Sequence, residues 1–206
     1  MVIQALAKWI SQNFPECATK TERDSVKCNT LFIDAFQLYF NVLEKSDNET
    51  FVKKFLGSVK NAILSNHPSD TIFVFFDGPC PAIKFQKLRE RWFLSYHVED
   101  YVIDTEEYNL KDVKSNDDDG YEALQNYLER VINYDDVKAK SIIYSSVTTP
   151  GEAKYKFFDY FREMKNDSDF IPSRKHVILS NTNEMFFLAL QFIDEQFYIL
   201  KLNHVL

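Results

Sequence analysis

The sequence has 206 residues, which is enough for one domain with a sizeable core but too few for two large domains. Its composition, with 45% hydrophobic and 16% aromatic residues, excludes an intrinsically disordered chain. The net charge of −7 argues against tight nonspecific binding to nucleic acid, because phosphate-binding surfaces are usually basic.

Helix and strand patterns alternate along the chain, which predicts an α/β fold with a mainly parallel sheet and helices on its faces. Residues 1–206 are expected to form a single domain. The first predicted elements are a helix over Ala5–Asn13, a strand over Leu31–Ile33, a helix over Glu49–Ser65, a strand over Thr71–Phe76 and a helix over Lys84–Phe93. Residues 99–120 are polar and acidic, and they predict a mobile loop. The remaining elements are a helix over 124–132, a strand over Ser141–Tyr144, a helix over Glu152–Met164, a strand over His176–Leu179, a helix over Met185–Phe192 and a strand over Phe197–Leu202.

Cysteine content and hydropathy predict an intracellular protein, with nucleus and cytoplasm both open. Cys17, Cys28 and Cys80 show no metal-binding spacing and indicate free thiols in a reducing compartment. No apolar run reaches the roughly 18 residues of a membrane span, so no membrane association is expected. The amphipathic segment Met1–Phe14 lacks the basic start and the continuous apolar stretch of a secretory signal.

Three predicted strands end at polar or acidic residues. The first runs into Asp34, the second into Asp77, and the fourth into the segment Ser180–Glu184. Since ligands of an open parallel sheet bind outside the carboxyl ends of its strands, these side chains can converge. Glu152 is predicted to join them from a helix start, whose free N–H groups also favour an anion. Convergent carboxylates are ligands for Mg²⁺ or Mn²⁺, and two such ions can hydrolyse a phosphodiester.

Each acid also has a purely structural interpretation. Asp34 can cap the element that follows it, and Asp77 can belong to an ordinary turn. Thr149 and Glu152 have the spacing of a capping box at the start of a helix. Taken singly, these interpretations are favoured over a functional one, and only the joint pattern favours a metal site.

The order of these motifs resembles the N-terminal nuclease domain of the XRN family of 5′→3′ exoribonucleases. The segments that carry the resemblance are Trp9-Ile10-Ser11, Leu31-Phe32-Ile33-Asp34, Phe76-Asp77-Gly78 and Thr149–Lys156. The last is similar to Thr-Pro-Gly-Glu-Gly-Glu-His-Lys, the family's most specific motif. The resemblance implies a Rossmann-like, PIN/FEN-related fold, RNA as the substrate class and Mg or Mn as cofactor. It also implies a domain truncated relative to the family, without a further metal-binding acid found downstream.

The resemblance assigns roles to residues and also shows departures from the family. The acids that it implies are the metal ligands Asp34, Asp77 and Glu152, with Glu184 as a fourth catalytic remnant in place of an Asp. Lys154 replaces the second acid of the Thr-Pro-Gly-Glu motif, and Thr182 replaces another Asp. After the first acid the family continues Met-Asn-Gly, where this chain has Ala35-Phe36-Gln37. An ammonium among carboxylates competes with a cation of the same sign, so metal binding is expected to be weak or lost.

A phosphate-binding role follows from the same resemblance for Lys84, Arg89 and Arg91, on a predicted helix that contacts the 5′-phosphate in the family. Leu88 stands where the family has Gln, and Trp92 where it has a further Arg. A monophosphate pocket depends on several charge-assisted hydrogen bonds, so part of this set is missing. A solvated helix face is an equally favoured interpretation of these cations.

These substitutions favour a catalytically inactive relative of the exoribonucleases that acts through RNA or a protein partner and needs no cofactor. The first alternative is an active, divergent 5′→3′ exoribonuclease that uses Mg or Mn. The second alternative is a module that binds only protein, which the net charge of −7 favours slightly. The oligomeric state and the completion of the site by another chain are not determined by the sequence.

Overall fold

The elements of this fold come from a computed structural model that describes residues 6–17, 26–43, 51–79, 124–130, 137–168, 170 and 174–201. The strands are β1 (Thr30–Asp34), β2 (Thr71–Phe75), β3 (Ser141–Ser145), β4 (Lys175–Leu179) and β5 (Gln196–Leu200). The helices are α1 (Leu6–Asn13), α2 (Ala35–Leu43), α3 (Phe51–Asn66), α4 (124–130), α5 (Ala153–Lys165) and α6 (Glu184–Ala189), with a short 3-10 turn at Pro15–Cys17.

The five strands form one parallel sheet in the order β3-β2-β1-β4-β5. β1 is central, and Asp34 at its end lies in register with Phe75 of β2. Both of these strands are buried along their whole length, as continuous apolar runs in parallel sheets usually are. Because all five strands run the same way, their carboxyl ends meet at one edge of the sheet. The predicted α/β, Rossmann-like architecture is confirmed.

Helices cover both faces of the sheet. Leu31 and Ile33 of β1 face the core that α2 and α3 complete, whereas Phe32 faces the other core, beneath α5 and α6. In this second core the rings of Phe32 and Phe157 stack with centroids 4.4 Å apart. Among the residues that the structure describes, none of the helices has the length and hydropathy that a membrane span requires.

Predicted and observed strands agree to within a residue or two, but α2 was not predicted and one apolar segment was misassigned. α2 follows β1 without an intervening loop. The apolar run at residues 186–190 predicts a segment buried in the core, but it is only partly buried, with Phe187 46% and Leu190 66% exposed. α6 has six residues; Met185 is buried beneath it, and Phe187 on its other side is exposed. The predicted helix Lys84–Phe93 and the predicted loop 99–120 lie outside the described residues.

A buried histidine lies at the amino ends of the strands, far from the edge where the acids meet. His176 is 1% exposed, and its Nε2 atom is 3.5 Å from Glu195 Oε2. Its ring packs against Phe161 and Phe197. Burial, assisted by the charge of Arg174 and opposed by that of Asp70, lowers the pKa of His176 to about 4.

This histidine should make the fold sensitive to acid. The folded-state pKa lies below the ordinary value of 6.5, so the unfolded chain binds the proton first and stability is lost as the pH falls from about 6.5 towards 4. Between pH 7 and pH 5 we expect wild type to lose about 2 kcal/mol more unfolding free energy than His176→Gln. Urea unfolding of both chains at the two pH values measures this difference. Equal losses would contradict the effect.

Candidate functional site

The carboxyl edge of the sheet brings together the polar residues that the sequence predicts there. Asp34 is the last residue of β1, Asp77 follows the end of β2, and Ser180 follows β4 directly. Glu152 immediately precedes α5. Asp77 is close enough to Asp34 for its negative charge to raise the pKa of Asp34, and Lys154 of α5 is close enough for its positive charge to lower it.

Asp34 is 4% exposed and both of its carboxyl oxygens have protein partners. The backbone N–H of Gln37 donates to Oδ1 at 3.2 Å, so Asp34 caps α2, as the structural interpretation of this residue predicts. The Ser180 hydroxyl lies 2.9 Å from Oδ2. The pKa of Asp34 is raised to about 7, mainly by burial and to a smaller extent by the charge of Asp77, while the bonds from Gln37 and Ser180 and the charge of Lys154 oppose the rise.

The Gln37 side chain connects the start of α2 to the loop after β4. Its Oε1 atom accepts the backbone N–H of Asn181 at 2.7 Å, and its Nε2 donates to the hydroxyl of Thr182. In the resemblance described for the sequence, Gln37 takes the place of a Gly and Thr182 the place of an acid. The side chains of Gln37 and Thr182 are therefore hydrogen-bonded to each other beside Asp34. Sequence analysis did not single out Gln37 as a site residue, although its alignment with Gly is the signal that could have identified it.

Asp77 is held against the start of α5. The backbone N–H of Ala153 donates to Asp77 Oδ1 at 2.6 Å. Gly78 donates its N–H to the Gly151 carbonyl at 2.8 Å, and Gly151 donates to Pro79 at 3.1 Å. The turn after β2 is thus bonded to the loop before α5. This pairing places the Asp77 carboxylate where it accepts a hydrogen bond from a free N–H group at the start of α5. The helix dipole at that end also favours the negative charge of Asp77.

Lys154 ion-pairs with two of the predicted acids. Its Nζ atom is 2.9 Å from Glu152 Oε2 and also bonds to Glu184 Oε2. The side chains of Lys154 and Glu152 are 12% and 17% exposed, so solvent screens this pair weakly. Burial acts to lower the pKa of Lys154, but hydrogen bonds to Glu184 and Glu152 outweigh it and raise the pKa.

The capping box considered for Thr149 and Glu152 is wrong. Glu152 itself is the N-cap of α5, with an extended backbone, and its side chain does not cap the helix. Instead, its carboxylate is paired with the ammonium two residues later. The same holds at α6, where Asn183 is the N-cap without a side-chain cap bond. The carboxylates of Glu152 and Glu184 are therefore directed towards Lys154.

Two further lysines lie at this edge, and sequence analysis assigned neither a role. Lys156 Nζ donates to the Phe76 carbonyl at 2.9 Å and to Ser145 Oγ at 3.1 Å, which ties the ends of β2 and β3 to α5. Burial lowers the pKa of Lys156, and the charge of Asp77 opposes this. Lys201, after β5, donates to the Asn181 carbonyl at 3.0 Å. These lysines satisfy carbonyl groups where strands end.

These residues do not fit the divalent cation that a nuclease site of this kind requires. Asp34 accepts two protein hydrogen bonds, while Glu152 and Glu184 pair with an ammonium. Within the described ranges, no three His, Cys, Asp or Glu side chains are arranged to hold a metal ion. Mg²⁺ needs several oxygens in near-octahedral geometry, and this arrangement does not offer them. Lys84, Leu88, Arg89, Arg91 and Trp92 lie outside the described residues, so their roles stay predictions.

Comparison with known proteins identifies a family along nearly the whole chain. A family model described as XRN 5'-3' exonuclease N-terminus matches residues 1–120 and 119–203. The chain is 21% identical to 5'-3' exoribonuclease 1 of Schizosaccharomyces pombe, over 98% of this chain and 17% of that protein. It is 20% identical to 5'-3' exoribonuclease 2 of Debaryomyces hansenii, over 98% of this chain and 25% of that protein. The chain thus spans a quarter or less of the length of these two relatives.

Solved nuclease structures share the fold. The catalytic core of Rad2 in complex with DNA substrate superposes with a TM-score of 0.54 at 14% identity, over 98% of this chain and 51% of that chain. The T5 D15 protein co-crystallized with metal ions superposes with a TM-score of 0.51 at 15% identity, over 86% of this chain and 56% of that chain. At such low identity the likeness concerns the fold, and it supports the PIN/FEN-type sheet predicted from the sequence.

Proposed function

The chain belongs to the XRN 5'-3' exonuclease N-terminus family, and we propose that it keeps the family's fold without its hydrolytic activity and acts by binding. One observation carries this proposal: Lys154 places an ammonium between Glu152 and Glu184. Metal-assisted hydrolysis of a phosphodiester needs cations that activate water and stabilise the leaving oxygen. An ammonium that is paired with two carboxylates cannot activate the attacking water, because it has no vacant coordination position at which water could bind and lose a proton.

A cation that entered this site would first have to displace Lys154. The ammonium and the Glu152 carboxylate are mostly buried, so the attraction between them is stronger than that of a surface pair. Repulsion between the ammonium and an incoming Mg²⁺ or Mn²⁺ adds to this barrier. Thr182, which bonds to Gln37, contributes no charge in place of the family's acid. The chain therefore needs no metal cofactor in the function proposed.

The charges near the site favour a protein partner over RNA. Without a divalent cation, an RNA phosphate at this edge would face the carboxylates of Asp34 and Asp77. Phosphate contacts would then depend on Lys84, Arg89 and Arg91. The overall net charge of −7 also opposes a polyanion. We therefore propose a protein partner first and RNA second, in an intracellular setting.

We expect wild type and Asp77→Ala to be equally inactive on 5′-monophosphorylated single-stranded RNA with Mg²⁺ or Mn²⁺. Both chains should leave the RNA intact, because the acids that remain are engaged with protein groups. Gel analysis of 5′-phosphorylated and 5′-hydroxyl RNA measures this, and circular dichroism checks that both chains are folded. Progressive loss from the 5′ end by wild type, abolished in Asp77→Ala, would overturn the proposal.

That outcome would favour the second candidate, an active divergent 5′→3′ exoribonuclease that uses Mg or Mn. The observation in its favour is that Asp34, Asp77, Glu152 and Glu184 all lie at one edge of the sheet. The names of the relatives, 5'-3' exoribonucleases 1 and 2, agree with it. RNA binding without cleavage, measured by fluorescence anisotropy at physiological salt, would instead place RNA ahead of a protein partner.

A further inference from the structure

We propose that the Lys154 ammonium takes the structural place of a divalent cation, so that this edge of the sheet is held together in a metal-independent way. The inference rests on the proposed function, because it explains how an acid-rich edge stays ordered without metal. It goes further in assigning a positive structural role to Lys154. It also predicts a divalent-cation site that appears when the ammonium is removed.

The ammonium connects two elements that are distant in the sequence. Glu152 lies at the start of α5, and Glu184 is the first residue of α6. Lys154 Nζ bonds to both carboxylates and also lies 5.0 Å from the centre of the Tyr155 ring, a cation–π distance. Without a positive charge here, the carboxylates of Glu152 and Glu184 would repel each other across the helix starts. The lysine removes that repulsion.

A tethered ammonium differs from a bound metal ion in ways that can be measured. It is part of the chain, so its occupancy depends on neither metal concentration nor chelators. It carries one positive charge rather than two and donates hydrogen bonds instead of accepting ligand lone pairs. Replacing Lys154 with a neutral side chain should therefore remove the positive charge from between the Glu152 and Glu184 carboxylates, whose oxygens then become available to a metal ion. Hard cations such as Mn²⁺ prefer such ligands.

Lys201 provides a matched control at the same edge. Its Nζ atom donates to the Asn181 carbonyl at 3.0 Å and to Asn183 Oδ1 at 3.2 Å, which are both neutral groups. It is partly buried, as Lys154 is, and it lies over the ring of Phe186 at 5.7 Å. Replacing Lys201 removes a partly buried ammonium and a cation–π contact, but it takes no positive charge away from a pair of carboxylates. Effects that come from losing a lysine alone should appear in both variants.

The test compares wild type, Lys154→Met, Lys154→Arg and Lys201→Met. Mn²⁺ binding is measured by isothermal titration calorimetry, and thermal unfolding is followed in EDTA and in excess Mn²⁺. We expect Lys154→Met to bind Mn²⁺ at least tenfold more tightly than wild type. In EDTA its melting temperature should be lower than that of wild type, and excess Mn²⁺ should raise it again. For each of the other three chains (wild type, Lys154→Arg and Lys201→Met), the melting temperature in EDTA should equal that in excess Mn²⁺.

Two results would overturn the inference. One is Mn²⁺ binding by wild type as tight as by Lys154→Met, and the other is a Lys154→Met chain that is folded but gains no Mn²⁺ affinity. If Lys154→Met does not fold, Lys154→Gln keeps a donor for one carboxylate and is held to the same criteria. Tight metal binding by wild type without RNA cleavage would refute this inference but not the proposal that the chain lacks hydrolytic activity. Cleavage by wild type, with metal affinity still gained in Lys154→Met, would refute the function but not the inference.

Discussion

Asp34→Asn should raise the free energy of unfolding at pH 8 by about 2–4 kcal/mol, although most single substitutions destabilise a protein. Burial raises the pKa of Asp34 from 3.8 to about 7, so keeping this carboxylate ionised in the folded state costs stability. Asparagine removes the charge but keeps the shape. Its Oδ1 can still accept the Gln37 N–H, and its amide can donate to the Ser180 hydroxyl.

The gain should depend on pH in a defined direction. The folded-state pKa of Asp34 is raised, so the fold is most stable at low pH, where this carboxyl is protonated in both the folded and the unfolded state. As the pH rises from about 4 to about 7, the unfolded chain loses the proton first and wild type loses stability relative to the variant. We expect the gain from Asp34→Asn at pH 5 to be less than half of that at pH 8.

Urea unfolding in EDTA at the two pH values measures this effect. Asp159→Asn is the matched control, because Asp159 is exposed and, among the described residues, pairs with Arg162 on the surface of α5. Its effect should stay within about 0.5 kcal/mol at either pH. A loss of stability in Asp34→Asn at pH 8 would show that the ionised carboxylate is compensated, and would contradict the burial argument.

Gly78→Ala should destabilise the fold by about 3 kcal/mol or more, because the added methyl group has no space. A Cβ atom at this position would overlap the carbonyl group of Thr149 and lie 3.2 Å from the carbonyl oxygen of Val147. These neighbours are backbone, and Gly78 is itself bonded to Gly151. The loop before α5 would have to move, and Asp77 would lose its position beside the helix start.

Gly57→Ala provides the opposite case within the same chain. Gly57 lies inside α3, and an added Cβ would meet nothing within 4 Å. Alanine loses less backbone entropy than glycine on folding, so this variant should gain about 0.5–1 kcal/mol. Chemical denaturation of both variants measures the two effects. A Gly78→Ala chain as stable as wild type would show that the turn and the loop can separate without cost.

The strands were predictable because each is a short apolar run bounded by polar residues, and such runs pair into buried parallel sheets. The position of each acid at the end of a strand or the start of a helix was equally local information. α2 was missed for a local reason as well. Its sequence, Ala35–Leu43, continues the apolar run of β1 without a breaker, so periodicity alone does not separate strand from helix.

The sequence by itself therefore determined the fold class, the family resemblance and the set of acids at the strand ends. Only the tertiary structure decided how those acids are used. Gln37 contacts Thr182 across a long stretch of chain because β1 and β4 are neighbours in the sheet, and Lys154 contacts Glu184 because α5 and α6 cover the same face of that sheet. The pKa of Asp34 likewise depends on burial by several elements. Ion pairing and desolvation are properties of the spatial neighbourhood, which no spacing along the chain specifies.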